Sequence, residues 1–383
     1  MVLAVRRGRS MRAVARRFNV TLRTVQRWVQ RARHQRLDRV TWSDRPVGVH
    51  ASSQRTPLAV ELEVLRTRRR LRYESVLGEF GAAAIQHDML ARGMIAPTVR
   101  TIGRILERHD AVDRAGRVRR PAPPAGWHLP AVARGEAEVD LFDVIEDLKF
   151  KAGPLIDVLT SVSLRGSLPA AWPLPSATTT AILPCVTAHW RMHGLPHYAQ
   201  FDNDMRFQGP HHRADAFGRV VRLCLQLGVT PVFVPPYEFG LQNAIEHFNG
   251  LYTAKVWRRF VFPAIADLRT HTARYLAARV ERLASRLAAA PPRRAWPRPW
   301  QFHPELLRAG EVIFIRRTSD AGRLTLLGHT WLVDRAWCNR LVRAEADLRL
   351  GEIRCVALRR RDPTAQPTLA VLPYDYPRGD LTL

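Results

Sequence analysis

Three carboxylates stand out in this chain for the segments that carry them. Asp202 closes Gln200-Phe201-Asp202 and is followed by Asn203-Asp204, and residues 196–201 before it can end a strand. Glu246 lies in Leu241-Gln242-Asn243-Ala244-Ile245-Glu246-His247-Phe248-Asn249, which reads as the start of a helix. A third acid has to come from upstream, and Asp143 in Val139-Asp140-Leu141-Phe142-Asp143-Val144-Ile145 is the candidate. Asp140 competes for that place. Three residues apart on a strand, the two point to opposite faces, and Asp143 is preferred because it sits among Phe142, Val144 and Ile145. Carboxylates gathered without a cation push a proton onto one of their number. Magnesium, with manganese as the alternative, favours such oxygens and leaves positions open for phosphates. Two such ions about 3.5–4 Å apart can serve an in-line displacement at phosphorus.

The charge around these acids sharpens the reading. The chain has 383 residues, 60 of them basic and 34 acidic, for a net charge of +26. Only Lys149, Lys151 and Lys255 are lysines. Such a surplus favours a polyanionic partner, and nucleic acid is the commonest. Residues 136–204 reverse the balance, with nine acids against four basic residues. Divalent cations account for a negative island inside a positive chain. No apolar run reaches the roughly 18 residues of a membrane span. The four cysteines show no paired zinc spacing and read as reduced thiols of a cytoplasmic protein.

The elements that must hold the acids can be read in part. Residues 155–162 and 229–234 are β-branched and apolar enough for strands, and residues 177–190 and 217–227 suit helices. Strands alternating with helices argue for an α/β domain on a mixed sheet, expected over residues 130–285.

Ahead of it lie two helical modules. In residues 1–45, Met11, Val14, Ala15 and Phe18 fall on one helix face, and Thr21 can cap a second helix with Leu22, Val25, Trp28 and Val29 inside. Arg23, Thr24, Gln26, Arg27 and Gln30 then face outward, a helix-turn-helix whose second helix suits a major groove. Residues 56–112 repeat the plan. Leu62, Leu65, Ile85, Met89 and Leu90 are expected inside, and Thr98 caps a helix with Val99, Ile102, Ile105 and Leu106 inward and Arg100, Thr101 and Arg104 outward. Residues 41–56 and 113–130 read as linkers, the second a basic one carrying Arg114, Arg117, Arg119 and Arg120. Lys255 and Arg258 follow Glu246 and are candidate phosphate contacts. Residues 303–383 hold several short strands at the spacing of a small β-barrel, with a basic surface suited to DNA or to dimerisation.

Gln200-Phe201-Asp202-Asn203, Pro235-Pro236-Tyr237 and residues 242–249 resemble the integrase core of retroviral integrases and bacterial insertion-sequence transposases. The resemblance spans about residues 60–270. The basic helix-turn-helix ahead of the core is most like the insertion-sequence members. It implies a ribonuclease-H-like fold and an Asp, Asp, Glu metal triad, with Asp143 first, Asp202 second and Glu246 third. It further implies magnesium-dependent strand cleavage and strand transfer on double-stranded DNA by a homo-multimer, in the cytoplasm at the nucleoid. Two departures stand out. Asp204 occupies a place where the family usually has Gly, and the 44 positions from Asp202 to Glu246 exceed its usual gap. The alternative is a DNA-binding regulator, or a domesticated relative, without catalysis.

Overall fold

The computed structural model describes residues 1–43, 56–112, 125–151, 153–210, 213–235, 238, 240–360, 362–376 and 381–382. Most of both expected linkers lies outside these residues, as do His211, His212, Pro236 and Tyr237. Two compact units are present, Met1–Glu61 and Leu62–Leu383.

The first unit packs three helices, α1 (Val2–Arg6), α2 (Met11–Arg17) and α3 (Leu22–Arg31). Each of the two later helices starts at a hydroxyl cap. Ser10 Oγ accepts from the Ala13 N–H at 3.2 Å, and Thr21 Oγ1 from the Thr24 N–H at 3.2 Å. Val14, Ala15 and Val25 close the core between α2 and α3. Phe18 was expected with them, but it is the C-terminal cap of α2 and 46% exposed. The helix ends at Arg17, one residue short of the periodicity. Helix α1 was not anticipated. It docks through Val2 and through Arg6, whose guanidinium donates to the carbonyls of Ala32 and Gln35 at 2.5 and 2.7 Å.

The second unit opens with helices again: most of α4 (Leu58–Glu74), then α5 (Ala82–Ala91) and α6 (Val99–Arg108). Thr98 caps α6 as Thr21 caps α3, accepting from the Thr101 N–H at 3.3 Å. Val64, Leu71, Ile85, Met89, Ile102, Ile105 and Leu106 form the core here. Leu62, Leu90 and Val99, expected inside, are exposed instead. The inward stripe of α4 runs through Val64 and Leu71, so the face is rotated from the one Leu62 suggested.

After a short turn of helix, α7 (Pro130–Ala133), come β1 (Val139–Lys149), β2 (Leu155–Ser163), β3 (Pro169–Leu174), α8 (Thr179–His193), β4 (Tyr198–Phe201), α9 (Met205–Gln208), α10 (Arg219–Gln226), β5 (Thr230–Phe233), α11 (Asn243–Tyr252), α12 (Ile265–Arg282) and α13 (Ala284–Ala288). The C-terminal part adds β6 (Leu307–Arg308), β7 (Glu311–Arg317), β8 (Arg323–Leu326), β9 (His329–Leu332), β10 (Leu341–Asp347), β11 (Glu352–Ala357) and β12 (Thr368–Pro373). Nine of these strands make one sheet, in the order β12-β11-β10-β7-β5-β4-β1-β2-β3. The pairs β1·β4, β4·β5 and β5·β7 are parallel, and the outer pairs are antiparallel.

Side chains alternate across this sheet as the pleat requires. Phe142, Phe201, Phe233 and Phe314, one from each of four neighbouring strands, stack on one face with centroids 5.3, 5.8 and 5.5 Å apart, beside residues of α8 and α10. Leu141, Val232 and Ile313, each one residue earlier than a member of that row, pack on the other face with Ile245, Phe248 and Tyr252 of α11 and Leu268 of α12. The architecture is therefore an open mixed sheet between two helical layers.

The expected C-terminal β-barrel does not form. Strands β7, β10, β11 and β12 extend the core sheet instead, entering it where Val232 and Phe233 of β5 pair with Ile313 and Phe314 of β7. Two pairs stand apart as two-stranded sheets, β8 with β9, and β6 with the short strand β13 (Leu381–Thr382). The short-strand spacing was read correctly, but the unpaired edge of β5 is a better partner for β7 than a closed ring of small strands.

Candidate active site

Strand β1 pairs with β4 in parallel through Val139↔Tyr198, Asp140↔Ala199 and Leu141↔Gln200. Extending that register by two residues sets Asp143 level with Asp202. Adjacent strands lie about 4.8 Å apart, so the two carboxylates start from neighbouring backbone positions. Each follows a stacked phenylalanine, Phe142 and Phe201, and therefore faces the opposite side of the sheet, toward α11. Glu246 occupies the first turn of α11.

Asp143 is half-buried and held from three sides. It accepts from the Val144 N–H at 2.8 Å and from Asn249 Nδ2 at 2.7 Å. Asn249 is itself fixed by Thr160, whose hydroxyl donates to Asn249 Oδ1 at 2.7 Å, with the Asp143 carbonyl also 3.1 Å from that hydroxyl. Thr160 is the antiparallel partner of Asp143 on β2, and Asn249 lies three residues after Glu246 on the same face of α11. Burial pushes the Asp143 carboxyl up to about 6; the Val144 and Asn249 donors oppose that, while the charges of Asp202 and Glu246 add to it. Asp202 is raised as well, by burial first and then by Asp204 and Glu146, against the Asp204 N–H and Arg206.

The competing acid has another role. Asp140 is fully buried, paired with the Arg293 guanidinium, and accepts from Trp190 Nε1 at 3.0 Å. Its oxygens are committed to these two donors on the phenylalanine side of the sheet. Asp204, the departure from the family pattern, caps α9. Its carboxylate accepts from the Arg206 N–H at 2.7 Å, and the Arg206 side chain bridges it to Glu146 at 2.6 Å.

Among the described residues, no three His, Cys, Asp or Glu side chains stand close enough together to enclose a metal ion. Asp143 and Asp202 are half-buried and Glu246 is exposed, acting on Asp143 by its charge. The donor chemistry nevertheless fits magnesium or manganese: hard oxygens only, mutually repelling, with the side-chain oxygen of Asn203 buried next to Asp202 and without a hydrogen-bond partner.

Sequence reasoning named Asp143, Asp202 and Glu246 but missed Thr160 and Asn249, which orient the first of them. Asn249 could have been found, since it shares a helix face with Glu246; Thr160 depends on strand register, which no local pattern reveals. The candidate DNA contacts divide. Arg23, Gln26, Arg27 and Gln30 are exposed on α3, as are Arg100 and Arg104 on α6. Thr24 is half-buried, its hydroxyl 2.8 Å from that of Thr21. Arg258 is exposed. Lys255 is not free for a phosphate: its Nζ donates to the Gly78 carbonyl at 2.9 Å and lies over the Phe80 ring, while Arg259 donates to the Ser75 carbonyl at 2.7 Å. A π-helical turn, Thr253–Trp257, after α11 carries Lys255 to that segment and away from the acids.

A family model described as a helix-turn-helix domain matches residues 1–41. No curated protein matches the chain. Among solved structures, the catalytic core of BIV integrase is 15% identical and covers 37% of this chain and 81% of its own, with a TM-score of 0.28. A chain of the simian T-cell lymphotropic virus intasome is 16% identical, covers 82% of this chain and 100% of its own, and scores 0.35. The HTLV-2 integrase catalytic core with magnesium is 12% identical, covers 41% and 87%, and scores 0.28. No membrane-spanning helix occurs among the described residues, since none is both long and apolar enough.

Proposed function

We propose that this chain is a transposase or integrase of a bacterial mobile element, a polynucleotidyl transferase that cuts and joins double-stranded DNA in the cytoplasm. The observation that supports this most is the parallel register of β1 and β4, whose continuation by two residues sets Asp143 level with Asp202 just past the end of β4, with the charges of Asp202 and Glu246 both acting on Asp143. The helix-turn-helix of residues 1–41 recognises element ends, through Arg23, Gln26, Arg27 and Gln30 of α3. Arg100 and Arg104 on α6 form a second basic face for the same duplex.

Asp143, Asp202 and Glu246 would hold magnesium or manganese, which would supply Lewis-acid stabilisation at the reacting phosphorus. The chain's own task is positioning. Asn249 and Thr160 fix the Asp143 carboxylate, and the Asp204 N–H, 3.1 Å from Asp202 Oδ1, fixes the second. Arg206, tied to Asp204 and Glu146, keeps further carboxylates occupied beside the site. A hydroxyl, first of water and then of a freed 3′ end, attacks the phosphodiester; no protein nucleophile is needed. Bringing two ends together calls for a multimer on DNA.

Strand transfer with pre-cut ends and Mg²⁺ tests the reading. Wild type should join DNA, and Asp202→Asn should lose at least about a hundredfold in rate. Equal joining by the mutant would remove the site assignment. The open spacing of the three acids favours a second reading, a DNA-binding protein without catalysis. Binding of ends with no joining by wild type would select it.

A further inference from the structure

A cavity of about 290 Å³ opens beside Asn203, the residue after Asp202, lined by Asn203, Gln208, Arg213 and Arg316 and walled by Leu326 and Leu327 among others. Two arginines and, among the described residues, no carboxylate line it. Arg316 is the telling residue. It sits on β7, half-buried over the Phe314 ring, and its guanidinium donates only to neutral oxygens: Gln208 Oε1 at 3.2 Å, the Phe233 carbonyl at 3.3 Å and the Ile315 carbonyl at 2.8 Å. Burial pulls it down to about 10, and no acid opposes that shift. A withdrawn charge without a counter-charge is costly to the fold, so the position has a reason to wait for an anion.

We propose that this cavity seats one backbone phosphate, with its sugar, of a DNA strand that runs past Asp143 and Asp202. The inference rests on the proposed function for the strand's identity. Guanidinium groups are the donors best matched to phosphate oxygens. The volume, at the lower edge of ligand pockets of about 300–1,000 Å³, suits one nucleotide unit and not a longer segment. Apolar walls at Pro210, Leu326 and Leu327 suit a deoxyribose face, and the side-chain amide N–H groups of Asn203 and Gln208 on the same wall are of the type that donates to phosphate or sugar oxygens. The strands that were expected to form a separate barrel thus deliver Arg316 to the cavity beside Asn203.

Thymidine 5′-monophosphate and thymidine, titrated calorimetrically into the full chain, test it. Wild type should bind the monophosphate at least tenfold more tightly than the nucleoside. Arg316→Gln should abolish that preference. Arg213→Glu, a change at an exposed side chain that leaves the Arg316 hydrogen bonds intact, should weaken the monophosphate at least tenfold with an unchanged melting temperature, and it keeps the test sound should Arg316→Gln not fold. Monophosphate affinity in Arg213→Glu within twofold of wild type overturns the inference, while joining of DNA by the wild type would still support the proposed function. The expected loss together with a wild type that joins no DNA leaves a phosphate cavity and removes the proposed function.

Discussion

Two aspartates three residues apart show how much a residue's surroundings decide. Asp140 and Asp143 share a strand and a composition, and sequence could only prefer one. The structure gives them opposite surroundings, a guanidinium and an indole N–H for Asp140, and for Asp143 two neutral N–H donors under the charges of Asp202 and Glu246. Asp140→Ala strips the charge that Arg293 is buried against and should cost about 3–5 kcal/mol, read as a lowered urea midpoint. Asp143→Asn relieves repulsion and should leave that midpoint unchanged or raise it. The reverse pattern would mean the two roles are exchanged. Buried histidines set a second test. His128, hydrogen-bonded to Gln200 at 2.8 Å, and His189, beside Asp140, are both lowered to about 4 by burial. The unfolded chain takes up their protons near pH 6.5 and the folded chain does not. Their contribution to stability should therefore hold above about pH 6.5 and fall as the pH drops toward 4, by up to about 1.4 kcal/mol per pH unit for each histidine, whereas Asp143 and Glu311 of β7, raised by burial to about 6 and about 7, take up protons on folding and act in the opposite sense. Denaturation midpoints of wild type and of His128→Gln at pH 7 and 5 isolate the histidine, and a wild type that loses no stability relative to that variant as the pH falls would contradict the sign.

At the level of elements, what was legible is what local patterns encode. The threonine caps at Thr21 and Thr98, the strand before Asp202 and the helix holding Glu246 all lie where the residues said. Those two helix starts, of α3 and α6, are capped by a threonine hydroxyl, so Thr98→Ala should cost about 1 kcal/mol in thermal or urea unfolding, and no loss would argue that α6 is held by its core face alone. Strand β3 was missed because Pro169 and Pro173 speak against a strand. It is tolerated because β3 is a sheet edge, where a missing N–H harms no ladder. Phe18, Leu90 and Val99 were placed inside by periodicity that continued past, or began before, the turns that packing allowed. Lys255 looked like a phosphate contact because nothing local shows that the chain folds Gly78 over it.

Across the whole molecule, the pairing of β5 with β7 was the largest feature beyond sequence reading. It joins residues some 80 positions apart, and the strands involved look the same whether they close a barrel or widen a sheet. The consequence is testable by cutting the chain. A fragment ending at residue 302 loses β7, β10, β11 and β12 and bares Val232 and Phe233. It should be insoluble or lack a cooperative transition, and residues 303–383 alone should not fold. Two fragments that each melt cooperatively would contradict the shared sheet. The +26 charge belongs to this scale too, since it promises affinity for any duplex and tells nothing of chemistry.

The central claim is that oxygens of Asp143, Asp202 and Glu246 act on one cation site once DNA is bound. Manganese binding to the protein–DNA complex, followed by electron paramagnetic resonance, measures that without relying on turnover. The account predicts saturable binding in wild type and at least tenfold weaker binding in each of Asp143→Asn, Asp202→Asn and Glu246→Gln. Unchanged binding in any one of the three would take that residue out of the site and contradict the account.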